Sequence, residues 1–216
     1  MKNVSQCLIL RQIPTDPIFF GLHSSLAVTA SLSVIFTILL GIRFYRRTTF
    51  HRNVQILIYL LFAYGIIFNS MVDGTYTFHV SHIIGEDSPC SLVFYTTECW
   101  WSLAPSITCI TGFILIQAAF TIERVIATCR LGHYERKGKF VGPTLAVMVV
   151  LLSILCMNWG LGEADPNELR FHCAGIPASA TPRMIVIYYI MLIVDVISMI
   201  VLAYCFYYNK KKLKSG

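Results

Sequence analysis

Charge is scarce in this chain. Lys and Arg number 17, Asp and Glu 11, and together they make up 13% of 216 residues, against about a quarter in soluble domains. With 56% apolar residues and a mean hydropathy of +0.67, the deficit points away from water as the main solvent and excludes a disordered tail. The net charge is +6, but the basic residues sit in short connections between long uncharged runs, which excludes a nucleic-acid-binding face. Eight cysteines are too dilute for a disulfide-built miniprotein. G-x-S-x-G, H-E-x-x-H, C-x-x-C and phosphate-loop patterns are all missing, so neither an enzyme nor a cofactor is expected. The first 17 residues offer only Cys7-Leu8-Ile9-Leu10 as an apolar stretch. That is shorter than the apolar region of a cleaved signal peptide, so the first long run is expected to serve as the targeting signal.

What the chain has instead is length without charge. Residues 18–42, 54–72, 99–122 and 140–162 carry no Asp, Glu, Lys or Arg, and 184–208 carries only Asp195. A hydrocarbon core of about 30 Å is crossed by about 20 helical residues. The runs are apolar on all sides rather than alternating, so they read as helices and not as strands of a barrel. Gly65, Gly112, Pro105 and Pro143 fall within or at the edges of these runs, which lipid-embedded helices tolerate. The expected fold is an all-α polytopic membrane bundle, one membrane domain over 1–216, with five transmembrane helices at about 18–42, 54–78, 97–122, 140–162 and 184–208.

Thirteen of the 17 basic residues fall on one side of this arrangement. They are Arg43, Arg46, Arg47 and Arg52, then Arg124, Arg130, Arg136, Lys137 and Lys139, then Lys210, Lys211, Lys212 and Lys214; Lys2, Arg11, Arg170 and Arg183 fall on the other. The asymmetry predicts an amino terminus outside and a cytosolic carboxyl terminus. Cys7, Cys90, Cys99 and Cys173 are then on the oxidising side, and the four allow three complete pairings. Cys99 with Cys173 is favoured, because Cys99 heads the third helix and Cys173 sits in the middle of the loop between the fourth and fifth. Asn3-Val4-Ser5 is a glycosylation sequon on the outside. His79 and His82 lie near the outer end of the second run, with Glu86 and Asp87 close by. A catalytic zinc takes three protein ligands, so no metal is expected and both are read as solvated loop histidines. Asp73 lies about 19 residues from the inner end of its run, which places it near the outer interface.

The third run closes on Glu123-Arg124-Val125-Ile126-Ala127-Thr128. An adjacent acid and arginine there can neutralise each other and snorkel to the interface as a plain helix-end anchor. Arg124 follows Cys99 by 25 residues, about 37 Å of helix, enough to cross the core with both ends in the interfaces. An outer cysteine opening the third helix, an acid-arginine pair closing it and a cysteine in the next outer loop resemble G-protein-coupled receptors. Phe50-His51-Arg52-Asn53-Val54, Ser88-Pro89-Cys90, the Glu123-to-Thr128 element and Tyr134-Glu135 resemble, more narrowly, the nematode serpentine chemoreceptors of the Sra superfamily, class alpha or alpha/beta, over residues 18 to 208.

That resemblance implies a chemosensory receptor in the plasma membrane, as in the sensory cilium of a neuron. Such a receptor takes a small-molecule ligand between its helices, passes the signal to a heterotrimeric G protein at Glu123 and Arg124, and can assemble as a receptor oligomer. Family members have seven helices and this chain shows five, so a non-signalling membrane protein that partners full-length receptors is the alternative. A transporter is disfavoured, because such proteins carry several buried charges and broken helices at midplane. Asp195 lies eleven residues beyond Met184, about 16 Å into the fifth span. An acid at that depth is expected to face the bundle interior, and the resemblance, which implies a fifth helix lining the ligand cavity, makes it the ligand-cavity candidate; the alternative is an acid that is protonated or hydrogen-bonded to Asn158 or Gln117 and only holds helices together.

Overall fold

The computed structural model describes residues 17–47, 51–85, 93–129, 140–170 and 172–214. Five helices long and apolar enough to cross a membrane run through them: α1 (Pro17–Arg47), α2 (Arg52–Gly85), α3 (Thr96–Cys129), α4 (Val141–Leu161) and α5 (Thr181–Lys214). Two short strands, β1 (Phe94–Tyr95) and β2 (Leu169–Arg170), pair antiparallel at one end. The protein is therefore a polytopic helical membrane bundle.

Four of the helices outrun the spans expected from charge-free runs. Those four have 31 to 34 residues, about 46–51 Å at the helical rise, against a core of about 30 Å. The runs end where charge begins, whereas the helical ladder continues into the interfaces because a charged side chain there can reach water while its backbone stays bonded. α2 thus extends to Gly85, past the expected boundary at 78, and α3 extends to Cys129, past 122. The expectation for 140–162 needs only a one-residue trim at each end.

α3 is the hub. It packs against α2, α4 and α5, whereas α1 leans on α2. Of the most apolar stretch of α3, 44% is buried inside the protein, against 6% for α1. One apolar cluster joins α3, α4 and α5 through Leu103, Ile107, Leu161, Met184 and Ile187; another joins α2, α3 and α4 through Leu57, Tyr64, Ile116, Ala119 and Val149. Lipid tails are as apolar as these side chains, so close approach and interhelical hydrogen bonds must hold the helices together. Gly112 of α3 lies flat against the Tyr64 ring, where a Cβ would come within 2.6 Å, and Gly142 of α4 lies on the Asn53 backbone, where a Cβ would come within 2.6 Å of its Cα. Tyr64 in turn bonds Ser153 of α4 through its hydroxyl, at 2.8 Å. Pro105 withholds one amide from the α3 ladder, and nearby hydroxyls bond back to the preceding turn, Ser106 to the Ser102 carbonyl at 2.6 Å and Thr108 to that of Ala104 at 2.8 Å.

Candidate functional site: the two ends of helix α3

The head of α3 is locked. Cys99 and Cys173 form a disulfide across a separation of 74 residues, and both are fully buried. It fastens the 162–180 loop over the helix mouth, beside Phe94 and Phe78. The β1–β2 ladder brings Phe94 opposite Arg170 and Tyr95 opposite Leu169. Glu168 organises the rest. Its carbonyl accepts the Thr96 amide at 3.1 Å, and its carboxylate accepts the Ala178 amide at 2.7 Å and the Ser179 hydroxyl at 2.7 Å. Burial pushes that carboxyl up, but the bonds from Ser179 and Ala178 and the charge of Arg170 outweigh it and hold the group below the ordinary carboxylate range. Arg183 pairs with Glu163, its guanidinium also meeting the Trp159 carbonyl and ring, which closes α4 onto α5.

The other end of α3 carries the acid-arginine pair. Arg124 Nε meets Glu123 Oε2 at 2.9 Å; the carboxylate is 1% exposed and the arginine side chain 47%. A buried carboxylate needs a compensating partner, because an unpaired charge in low dielectric costs several kcal/mol. The half-exposed guanidinium supplies it while keeping access to the surface. One turn on, Asn209 of α5 donates to the Thr128 hydroxyl at 3.2 Å. Just inside this contact, α3 and α5 leave an apolar groove of about 350 Å³ lined by Thr121, Ile122, Val125, Ile197, Ser198 and Val201.

Asp195 is half-buried on α5. Its neighbours Val194, Ile197 and Ser198 line that groove, and Asp195 itself does not. Among the described residues, no hydrogen bond joins it to Asn158 or Gln117. Asp73 lies within α2, which continues twelve residues beyond it to Gly85, and it accepts a hydrogen bond from Ser31 of α1 at 2.8 Å. The histidines need a correction. His79 and His82 are helical residues of α2 and not loop residues, and His79 is buried. Asn3, Cys7 and Cys90 lie outside the described residues. His23 and the Tyr64–Ser153 pair are not apparent as site residues from sequence; a signal exists for His23, an ionisable residue inside an otherwise apolar run.

A bundle of membrane-length helices whose third member is covalently pinned at one end and carries an acid-arginine pair at the other defines a polytopic membrane protein of receptor architecture. Residues 20–215 match the family described as the serpentine type 7TM GPCR chemoreceptor Sra, and the chain belongs to that family, one of receptors and not enzymes. It is similar to serpentine receptor class alpha-10 of Caenorhabditis elegans, with 30% identity over 79% of this chain and 51% of the relative. It is also similar to the class alpha-10 receptor of Caenorhabditis briggsae, with 31% identity over 79% and 52%, and to serpentine receptor class beta-16 of C. elegans, with 22% over 86% and 55%. The chain spans about half the length of the curated relatives it matches.

Proposed function

We propose that these 216 residues form one membrane domain of a chemosensory G-protein-coupled receptor of the plasma membrane, with the disulfide end outside the cell and the lysine-rich end of α5 in the cytosol. A small molecule enters from the disulfide side, and the change reaches a heterotrimeric G protein at Arg124. The observation that carries this reading is the buried Glu123 carboxylate paired with the half-exposed Arg124 at the far end of a helix whose head is pinned by Cys99–Cys173. At rest the two charges neutralise each other. On activation Arg124 leaves the pair and meets the G protein, and the energetic cost of separating the buried carboxylate from its arginine sets the threshold. Asp195, half-buried in α5, is the side chain proposed to meet the ligand.

The test uses a seven-helix receptor that contains this chain. Glu123→Gln is expected to raise basal nucleotide exchange, and Arg124→Ala to abolish exchange at near-normal surface level. If both substitutions alter abundance alone, the pair is a membrane anchor and the reading fails. Asp195→Asn should shift the ligand concentration for half-response without changing basal exchange. The 216 residues expressed by themselves should give no agonist-driven exchange, since a ligand acts only by biasing two states that differ. Epitope tags at the two ends, probed in intact and permeabilised cells, check the orientation; a hidden amino-terminal tag on intact cells contradicts it.

A further inference from the structure

Beneath the pinned loop three imidazoles from three elements come together. The rings of His23 (α1), His79 (α2) and His172 (loop) have centroids 5.8 to 6.1 Å apart, and every pair is near perpendicular. Hydrogen bonds to the backbone assign their tautomers. The Cys173 amide donates to His79 Nε2 at 2.9 Å, so the His79 proton is on Nδ1. The Ala174 amide donates to His172 Nδ1 at 2.7 Å, so that ring is protonated on Nε2. His23 Nδ1 lies 3.0 Å from the Phe19 carbonyl and donates to it, which leaves a lone pair on Nε2, buried and without a hydrogen-bond partner. Two of the three lone pairs are thus committed to loop amides. A structural or catalytic zinc needs at least three, and no group of three or more His, Cys, Asp or Glu among the described residues is arranged to hold a metal. The cation that fits is a proton.

We propose that this imidazole cluster is a proton-binding site, and that loading it loosens the 162–180 loop from α2. A proton on His79 Nε2 turns the acceptor of the Cys173 amide into a donor, so the bond that crosses from loop to helix is lost. His23 Nε2 presents a buried lone pair within the same cluster. Among the described residues, the groups facing His79 include no carboxylate: His23 from α1 with Tyr76 of α2 against it, Phe78 and His82 from α2, the uncharged Phe94 from β1, His172 from the loop with Arg170 two residues before it, and from α3 a cysteine consumed in the disulfide. The Glu98 carboxylate is bonded to the Tyr95 amide, and that of Glu168 to Ala178 and Ser179. The disulfide keeps Cys173 on α3, so loosening is a lift of the loop off His79 rather than a detachment.

His172 fixes the direction of the effect. Burial first, then the charges of His23 and Arg170, lower it from 6.5 to about 4 in the docked loop. A docked imidazole held neutral cannot take the proton that an undocked one takes. Docking is therefore unaffected above about pH 6.5 and weakens as the pH falls towards 4. At pH 5 this single group shifts the docking equilibrium about 30-fold.

Hydrogen exchange at the Cys173 and Ala174 amides tests the proposal on the full 216-residue chain in lipid nanodiscs at pH 7.5 and 5.0, corrected for intrinsic rates, and it needs neither ligand nor G protein. Protection should fall at least 10-fold in the wild type at pH 5.0. It should be retained in the double variant His79→Gln, His172→Gln, whose amide oxygens can accept the same bonds without titrating. Glu168 stays ionised at pH 5.0, being held below its ordinary value. A wild type with pH-independent protection, or a double variant that loses protection equally, overturns the proposal. Should the double variant not fold, ¹⁵N-histidine spectra of the wild type decide. Imidazoles that charge over the range in which protection is lost support the site, and imidazoles silent over that range refute it.

Discussion

At the head of α3 the connecting loop is tied by a disulfide, a strand ladder, the Glu168 bonds and the Arg183–Glu163 pair. At its foot the Glu123–Arg124 pair lies within α3 itself, and an amide-to-hydroxyl bond from Asn209 to Thr128 crosses to α5. The first end combines a covalent tie with several kinds of non-covalent contact. At the second, a buried carboxylate meets a half-exposed arginine on the same helix.

The strongest way to break this contrast is to cut the pin. Cys173→Ser should cost about 4 kcal/mol in the chain-entropy account of a 74-residue separation. Thermal unfolding of the chain in nanodiscs, with and without reductant, would read it; a reductant-insensitive wild type would show that the head of α3 is held by packing instead. Next comes the contact between the starts of α4 and α2. Gly142→Ala puts a methyl against the Asn53 backbone, which cannot yield as a side-chain end could, and should cost about 1–3 kcal/mol, seen as lower folded yield and melting temperature.

A smaller change sharpens the comparison at the loop. Glu168→Gln should cost about 1–2 kcal/mol through weakened bonds to Ala178 and Ser179, read as faster exchange at those amides. The wild-type carboxyl is held low, so its contribution is full above its ordinary value of about 4.5 and fades as the pH falls through the native one. The variant should lack that acid sensitivity. The smallest effect belongs to the foot of α3. Asn209→Ala should cost about 0.5–1.5 kcal/mol and raise the mobility of a spin label at Thr128's neighbour Cys129, with no change at the disulfide end; equal changes at both ends would erase the distinction.

The number of spans and the residues at their centres were legible in the chain because the bilayer imposes one severe condition, about 20 residues without charge. The helix ends were not, since that condition lapses at the interface: α2 passes Val72 and continues to Gly85. The hydroxyl of α1 that bonds Asp73 was equally illegible, because it comes from another helix. The histidines were misread for a related reason. Polarity near the end of a run reads as solvation until a loop is folded back over it, and the loop that covers His79 is separated from it by more than 90 residues.

Sequence alone determined that this chain is a five-span helical bundle with a receptor's cysteine and acid-arginine spacing, because hydropathy, charge and residue spacing are properties of a single strand of text and a single helix. Tertiary structure alone decided that Glu123 is buried while Arg124 is half free, that Gly112 and Gly142 are contact points, and that three imidazoles meet under one loop. Each of these depends on which faces of separate helices meet. In lipid the hydrophobic pattern is nearly uniform around a helix, so rotation and register are settled by small residues and hydrogen bonds between partners distant in the chain.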